Sequence, residues 1–596
     1  NTCPTRSGAA GVKARRCVLT GIILLSSLLA SVRHETPQRH AGRAPLNDGR
    51  MASESYGLDA GRLGAGAMRG PSVPALLRAS PADATALVRD GEELSFGALD
   101  RRARQLAEGL RQLGVDAGDR VAVWLPSVPA YVELFVACCH LGAVCVAVNT
   151  RFRSVEVGDI VGRTGAKLLV FWPDFKDIDF PAILRDVDPE ALTGLQTVVA
   201  LDGARDADYL PGAVTVGYDA LLAHQPLAET RADPSLPCKI FTTSGTTSGP
   251  KFVLHDQGTV TRHGRDAARG LGCDAPDARL LQVLPLCGVF GFCQLMAGLA
   301  AGRPAVLLPA FDAERAAELI VAHAVTHTNG ADDMIDRLLK AGGGSRPFPS
   351  LRLVGYAKFN PAMHDLVERA DAAGVTLVGV YGMSECMALF STQPPDAGVE
   401  RRKLGGGIPV SEEAELRIRD EESGELLPPG ENGQIELRAP SVMVDYFGNA
   451  AATREVFTED GFLRTGDLGC LTGDGGFTFL NRAGDALRLG GFLVNPQEIE
   501  THMLNHPAVS GCQVVGASEG ERTRAVAFVT LQPGQQPDEA ELVRHCEGRL
   551  ARFKVPARVI AVEAFPVTQS ANGVKIQRGK LRERAQAELE RSGGPA

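Results

Sequence analysis

Long runs of lysine or arginine are missing from this sequence, and its net charge is −9. No stretch of the chain therefore offers the concentrated positive charge that neutralises a phosphate backbone, so we expect no nucleic-acid partner. The 13 cysteines form no C-x-x-C pair at metal spacing and are too sparse for a secreted disulfide scaffold. We therefore expect reduced, mostly buried cysteines and a cytoplasmic protein.

Heptads and internal repeats are also absent, which excludes coiled coils and solenoids. The chain has 596 residues, of which 44% are hydrophobic and 22% are charged. This composition is typical of globular proteins rather than of disordered chains or membrane bundles. The length predicts two or more compact units instead of a single core.

The first fifty residues differ from the rest. Three basic residues precede the apolar stretch 17–32, a pattern that is typical of a secretory signal or a short anchor. This stretch is marginal for a bilayer span, which needs about 20 predominantly apolar residues. The chain begins with Asn1, and Met51 opens a new segment. We therefore expect residues 1–50 to be a leader outside the native protein, with no stable membrane span, and a targeting segment is the alternative.

Helix-like and strand-like patterns alternate along the chain. Apolar residues recur at helical spacing in 94–114, and a short β-rich run follows at 119–126. Repetition of this pattern predicts an α/β fold with layered α/β subdomains and largely parallel sheets. Short strands and turn clusters beyond Gly405 predict a β-rich unit that closes the large domain. The pattern from Ala483 onward predicts a small α+β domain.

The sharpest local signal is FTTSGTTSGPK, from Phe241 to Lys251. Backbone N–H groups freed by glycine, together with hydroxyl groups, can surround a polyphosphate, and a lysine supplies positive charge. The segment lacks the G-x-x-x-x-G-K-[ST] spacing of the P-loop, which disfavours a kinase-like nucleotide fold. Taken alone, such a loop is more often a flexible linker.

Four further motifs follow this loop in order. They are YGMSE (Tyr381–Glu385), RTGDL (Arg464–Leu468), NRAGDALRLGGFLVNPQEIE (Asn481–Glu500) and PVTQSANGVKIQRGKL (Pro566–Leu581). Together the five motifs resemble those of the acyl-adenylate-forming superfamily, the AMP-binding enzymes, which includes acyl-CoA synthetases, beetle luciferases and peptide-synthetase adenylation domains. The resemblance extends from about Leu94 to Leu581.

The resemblance implies a set of residues that contact ATP or coenzyme A. They are Thr243, Ser244, Gly245, Thr246, Thr247 and Lys251 in the phosphate loop, Gly355, Tyr381, Gly382 and Ser384 near adenine and phosphate, Asp467 and Arg482 at the ribose, Gly490 and Gly491 beside the pantetheine path, and Lys575. Tyr381 is expected to stack on adenine, and Asp467 is expected to accept hydrogen bonds from both ribose hydroxyls.

The resemblance also implies the catalytic groups, which are Lys575, Glu385 and Thr246. Glu385 and Thr246 are expected to hold Mg²⁺, because hard oxygen ligands suit an ion that bridges ATP phosphates. Lys575 is expected to offset the charge that builds up as a carboxylate meets the α-phosphate. Lys580 is the alternative for this role, since the spacing of the C-terminal motif leaves the choice of lysine open.

By resemblance, residues 70–481 form an N-terminal AMP-binding domain, 482–485 a hinge, and 486–590 a mobile C-terminal domain. The implied reaction is that of an AMP-forming acid–thiol ligase, which uses ATP, Mg²⁺ and coenzyme A. Its partners are then small molecules, including a carboxylic acid, and the oligomeric state stays open. A non-catalytic nucleotide- or acyl-binding homologue is the alternative from a different class.

The acid is the least specified partner. Apolar residues dominate 281–299, which favours a fatty acid, with an aryl acid as the alternative. Gly288 stands where many acyl-CoA synthetases carry histidine, and this leaves room in the expected acyl pocket. A peptide-synthetase module is disfavoured, because the segment 285–292 has no aspartate to meet an α-ammonium group. A luciferase-type oxygenation stays open.

Overall fold

The computed structural model describes residues 69–592, except for 204–206, 244–249, 359–362, 486, 490–491, 520–521, 548–549, 551 and 571–572. The expectation for residues 1–50 therefore lies outside the described residues. Within the described part, no helix combines the length and the apolar character that a bilayer crossing requires.

Helices and strands alternate through the first part of the chain. They are α1 Val73–Arg78, β1 Thr85–Arg89, β2 Glu92–Ser95, α2 Phe96–Gln112, β3 Arg120–Trp124, α3 Pro129–Leu141, β4 Val144–Ala147, α4 Ser154–Thr164, β5 Leu168–Phe171, the 3-10 helix Phe175–Asp177, α5 Phe180–Arg185, the 3-10 helix Pro189–Leu192, β6 Thr197–Ala200, β7 Val214–Gly217, α6 Tyr218–Leu222 and β8 Pro237–Thr243. The N-cap Ser95 explains where α2 begins, since its side chain accepts a hydrogen bond from the Ala98 N–H.

The middle of the chain continues this alternation. Its elements are β9 Lys251–Asp256, α7 Gln257–Gly270, β10 Leu280–Gln282, α8 Val289–Ala300, β11 Ala305–Leu307, α9 Ala313–Ala322, β12 His327–Ala331, α10 Asp332–Gly342, β13 Leu353–Ala357, α11 Leu366–Ala372, β14 Thr376–Tyr381 and the 3-10 helix Ser384–Cys386. The apolar segment around α8 is buried in the core, as expected for a pocket wall rather than a membrane span.

Short strands dominate from residue 391 to residue 482. The strands are β15 Ser391–Thr392, β16 Gly406–Pro409, β17 Glu415–Arg419, β18 Leu426–Leu427, β19 Gly433–Arg438, β20 Asp445–Tyr446, β21 Leu463–Leu471 and β22 Phe477–Arg482, and the helices between them are α12 Val399–Arg402 and α13 Ala450–Val456. Clusters of turn residues separate these strands, as the sequence predicts.

The last part of the chain mixes both element types. It contains the 3-10 helix Ala483–Asp485, β23 Leu487–Leu489, β24 Phe492–Val494, α14 Pro496–Leu504, β25 Val509–Glu519, β26 Arg522–Leu531, α15 Glu539–Glu547, the 3-10 helix Arg552–Lys554, β27 Arg558–Ala561, β28 Val567–Ser570, β29 Gly573–Ile576 and α16 Arg578–Ser592. Strands β25, β26 and β27 form one sheet, and β23–β24 and β28–β29 are hairpins.

Two large sheets organise the rest of the molecule. One has eight strands in the order β20-β9-β8-β4-β3-β5-β6-β7. The other has fourteen strands in the order β18-β17-β19-β21-β22-β16-β15-β14-β13-β12-β10-β11-β1-β2. Strands β10 to β14 are parallel to their neighbours in this order, apart from the antiparallel pair β14–β15. The α/β fold class is confirmed. The β-rich unit, however, is joined edge to edge with the large sheet rather than packed against it as a separate layer.

Candidate active site

Three motifs meet where β14 ends, through the buried side chains of Tyr381 and Asp467 and the half-exposed side chain of Arg482. The Tyr381 hydroxyl donates to Asp467 Oδ2 at 2.6 Å, and Arg482 Nε lies 2.9 Å from Asp467 Oδ1. Asp467 on β21 and Arg482 on β22 are cross-strand partners, so sheet register fixes this ion pair. Burial raises the pKa of Asp467, and the attraction of Arg482 opposes that shift. The predicted ribose contacts therefore form one charged unit.

Aromatic packing holds the Tyr381 ring. Phe477 meets it edge to face with centroids 5.1 Å apart, and Phe479 lies tilted at 5.5 Å. Phe390 completes the surroundings at 6.5 Å. Because these rings fix the orientation of the tyrosine, its hydroxyl stays directed at Asp467. Stacking of Tyr381 on adenine remains a prediction.

A second cluster joins the end of the phosphate loop to the YGMSE motif. The Tyr446 hydroxyl donates to Glu385 Oε1 at 2.7 Å, and Lys251 Nζ lies 4.6 Å from the centre of the Tyr446 ring. Tyr446 reaches this position because β20 pairs with β9, which begins at Lys251. Burial and Glu385 raise the pKa of Tyr446, which keeps it a hydrogen-bond donor. No sequence motif contains Tyr446, and no signal in the sequence identified it.

Ligation of Mg²⁺ by Glu385 and Thr246 remains a prediction. In the part of the chain that the structure describes, no group of three or more His, Cys, Asp or Glu side chains could hold a metal ion. Mg²⁺ usually binds through one or two carboxylates together with substrate phosphates. A nearly buried Glu385 beside Lys251 fits that mode of binding.

The turn that follows Glu385 is strained. Met387, Ala388 and Leu389 have φ values of 61°, 51° and 43°, and left-handed backbone costs about 1–2 kcal/mol per residue that is not glycine. A Cβ on Gly382 would lie 2.7 Å from Ala388 Cα, so the second residue of YGMSE must be glycine for this turn to pack. Nothing in the sequence indicated three consecutive left-handed residues.

A small cavity lies under α8, and Gly355 forms part of its lining. Its lining residues are Leu271, Cys273, Leu280, Gln294, His327, Thr328, Asn329, Leu353 and Gly355. A Cβ on Gly355 would lie 2.4 Å from Asn329 Oδ1, so glycine leaves space for this carboxamide. Gln294 is engaged at both ends, since it donates to the Leu281 carbonyl and accepts from the Asn329 N–H. Asn329 is thus a buried polar side chain at the edge of the cavity.

Several predicted residues lie at the limits of the described structure. Ser244, Gly245, Thr246, Thr247, Gly490 and Gly491 are outside the described residues. Thr243 and Lys251 face each other across the β8–β9 hairpin, where the Thr243 hydroxyl donates to the Lys251 carbonyl at 3.4 Å. Lys575 lies in β29, opposite Thr568 of β28. The roles of all these residues remain predictions.

The predicted hinge, 482–485, contacts the C-terminal helix α16. Arg582 on α16 forms an ion pair with Asp485 and donates to the Gly484 carbonyl at 2.6 Å. Asn481 donates across the segment to Asn495 Oδ1 at 3.0 Å. Gly484 itself has no atom within 4 Å of the place where a Cβ would stand, so the structure gives no packing reason for glycine there.

Comparison with known proteins is consistent with this geometry. The chain matches the AMP-binding enzyme family over residues 76–447 and the AMP-binding enzyme C-terminal domain over 498–572. It is 32% identical to a feruloyl-CoA synthase of Amycolatopsis sp, over 85% of this chain and 97% of that protein. It is 29% identical to the mitochondrial medium-chain acyl-CoA ligase ACSF2 of Mus musculus, over 85% of each chain. ATP-bound MatB from Rhodopseudomonas palustris superposes with a TM-score of 0.75 at 26% identity, covering 88% of this chain and all of that one.

Proposed function

Since this chain belongs to the AMP-binding enzyme family, we propose that it is an AMP-forming carboxylic acid–CoA ligase that works through an acyl-adenylate. The observation that carries this proposal is the convergence of Lys251, Glu385 and the Asp467–Arg482 pair, which come from four separate segments. Polar groups from distant segments that lie close together support a shared nucleotide cleft, and two of them, Glu385 and Asp467, are buried carboxylates.

Each of these groups suits one part of ATP. Lys251 supplies charge to the phosphates, and Asp467 accepts hydrogen bonds from the ribose hydroxyls. Glu385 and Thr246 hold Mg²⁺, which neutralises phosphate charge when it is bound. Tyr446 engages one oxygen of the Glu385 carboxylate, so the other oxygen is directed elsewhere and suits a hard cation.

The two half-reactions need different partners for the same acyl group. Lys575 on the 486–590 domain stabilises charge while the acid carboxylate attacks the α-phosphorus and pyrophosphate leaves. The coenzyme A thiolate then attacks the acyl carbonyl, and AMP leaves with the bonding electron pair. Rotation about the hinge 482–485 exchanges Lys575 for the thiol path beside Gly490 and Gly491. The N-terminal domain, 70–481, holds the nucleotide throughout.

For the acid we propose a fatty acid, because apolar residues of α8 are buried along the expected pocket wall. The name of the ACSF2 relative supports this substrate class. An aryl acid is the second candidate, since Asn329 and Gln294 give the cavity under α8 a polar lining and a relative is named a feruloyl-CoA synthase. The proposed setting is the cytoplasm.

A screen for CoA-dependent AMP release tests this function. The full chain is assayed with ATP, Mg²⁺, coenzyme A and a panel of fatty, aryl and short acids, with Glu385→Ala as the matched control. We expect acyl-CoA and AMP in equal amounts for one class of acid, and a large loss in the control. Absence of ATP–pyrophosphate exchange with every acid would contradict the proposal and favour a non-catalytic binding protein.

A further inference from the structure

The turn that carries Glu385 is held at two points by histidines. His255 Nε2 donates to the Ser384 carbonyl at 2.8 Å, and His263 Nε2 donates to the Ala388 carbonyl at 2.7 Å. Both imidazoles are buried. The two accepting carbonyls lie on either side of Glu385 in the chain. The histidines therefore fasten the turn at its start and within its left-handed part.

Both imidazoles are suited to act as neutral donors. Burial lowers the pKa of His255 to about 4 and also lowers that of His263. The Nδ1 atoms of both rings have no hydrogen-bond partner among the described residues. Each ring, when it is neutral and carries its proton on Nε2, therefore donates a hydrogen bond to its own carbonyl partner without burying a charge.

The strand that holds His255 is the one that leaves the phosphate loop. Lys251, Val253 and His255 alternate along β9 and so lie on one face of it. Val253 packs in the same apolar cluster as Tyr381 and Cys386, which flank the turn. One face of β9 thus presents the phosphate-loop lysine at one end and supports the Glu385 turn at the other.

Left-handed backbone at three successive residues persists only when the surroundings determine it. Hydrogen bonds inside the turn supply part of that constraint, since the Ala388 N–H donates to the Met383 carbonyl at 2.8 Å. The Met443 N–H also donates to the Glu385 carbonyl at 2.8 Å. The histidines add the constraint from the side of β9 and α7.

We propose that His255 and His263 are positioning residues that hold the strained turn and thereby aim the Glu385 carboxylate at the Mg²⁺ of bound ATP. This inference rests on the proposed function, because Glu385 has a metal to hold only if the chain binds Mg²⁺–ATP. Neither histidine belongs to a motif that predicted the site.

Amide hydrogen exchange of the full chain without ligand tests directly whether the two histidines hold the turn. In His255→Leu and His263→Leu we expect faster exchange across 383–390, because each variant leaves a carbonyl of the turn without its donor. The variants His255→Gln and His263→Gln keep an N–H group of similar reach and should restore slow exchange. His140→Leu, which alters a buried histidine whose side chain contacts Thr230 and Asp100 rather than this turn, is the matched control for general destabilisation.

Kinetics test whether the hydrogen bonds from the two histidines affect ATP binding through Glu385. In ATP–pyrophosphate exchange at saturating acid, each leucine variant should raise KM for Mg²⁺–ATP about tenfold, with recovery in the glutamine variants and no such rise in His140→Leu. In a Glu385→Ala background, His255→Leu should add nothing further, because its effect passes through the missing carboxylate.

Unchanged exchange across 383–390 in both leucine variants would overturn the inference, as would additive effects of His255→Leu and Glu385→Ala. The amide-exchange measurement needs no turnover, so it shows whether the histidines hold the turn even if the wild-type protein has no activity. If wild-type protein catalyses pyrophosphate exchange while the leucine variants match it, only this inference fails. If wild-type protein activates no acid, the proposed function fails separately.

Discussion

The two sides of the proposed cleft are built on different principles. On the nucleotide side, polar groups are paired with one another: Tyr381 and Arg482 both engage Asp467, and Tyr446 engages Glu385. On the proposed acyl side, a small cavity has a mixed lining of apolar residues and of the neutral polar side chains Gln294, His327, Thr328 and Asn329. Paired charges select one ligand by its chemistry, whereas a small cavity without charge pairs selects its ligand mainly by shape. Substitutions on the nucleotide side should therefore affect every acid alike, and substitutions on the acyl side should change the order of preference.

The largest effect that would sharpen this comparison is expected from Lys575→Ala. Loss of one charge-stabilising group typically lowers a rate by about 10²–10³-fold, and we expect this loss in pyrophosphate exchange for every acid. Transfer from supplied acyl-AMP to coenzyme A should be spared, because that step does not use this lysine. Lys580→Ala is the matched control. Equal loss of both half-reactions in Lys575→Ala would contradict the domain rotation, and an effect confined to Lys580→Ala would reassign the lysine.

Asp467→Ala should have the next largest effect. The substitution takes the acceptor from the buried Tyr381 hydroxyl, which costs about 1–3 kcal/mol. It also takes the counter-ion from Arg482, whose half-exposed side chain loses less because water screens its charge. We expect roughly a hundredfold rise in KM for ATP, measured by pyrophosphate exchange with at least two acids. Circular dichroism checks that the variant is folded. A rise in KM for ATP that differs strongly between acids would contradict the comparison, because residues on the nucleotide side would then also determine which acid is preferred.

Features that have a local sequence pattern could be predicted, and features that depend on contacts between distant residues could not. The α/β fold and the family resemblance are confirmed, because strands such as β3 and helices such as α2 show clear periodicity and because motif segments keep their spacing. Tyr446 and His255 were not predicted, since each acts through a partner far away in sequence. The three left-handed residues after Glu385 were also not predicted, because ordinary side chains at 387–389 give no local signal for positive φ. The cavity under α8 depends on packing between α8, β12 and β13, which no motif encodes.

A smaller effect is expected from Gly355→Ala. The resemblance places Gly355 near adenine, whereas the structure places it in the lining of the cavity under α8, so its substitution separates the two sides. Its new Cβ would lie 2.4 Å from Asn329 Oδ1 and 3.1 Å from Val380 Cγ1, so the carboxamide must move into the cavity. We expect KM for the best acid to rise about tenfold while KM for ATP changes little, which is the cost of modest overpacking. Gly194→Ala is the control, because nothing lies within 4 Å of its Cβ position. An equal rise in KM for ATP would place Gly355 on the nucleotide side.

The smallest effect concerns the pH dependence of stability and sharpens the comparison by isolating the support of the nucleotide side. Burial lowers the folded-state pKa of His255 from 6.5 to about 4, and the pKa of His263 is lowered as well. Between these two pH values the unfolded chain therefore binds more protons than the folded protein, so stability falls as pH decreases from 6.5 towards 4 and is fully present above 6.5.

Replacing both histidines by glutamine removes this contribution. The difference in unfolding free energy between wild-type protein and the double glutamine variant, measured with urea at pH 7 and pH 5, should shrink at pH 5 by an amount on the order of 1–3 kcal/mol. Burial also lowers the pKa of His327 to about 4, but that group is present in both proteins and cancels in the difference. If the difference were the same at both pH values, the two imidazoles would not be held neutral by burial.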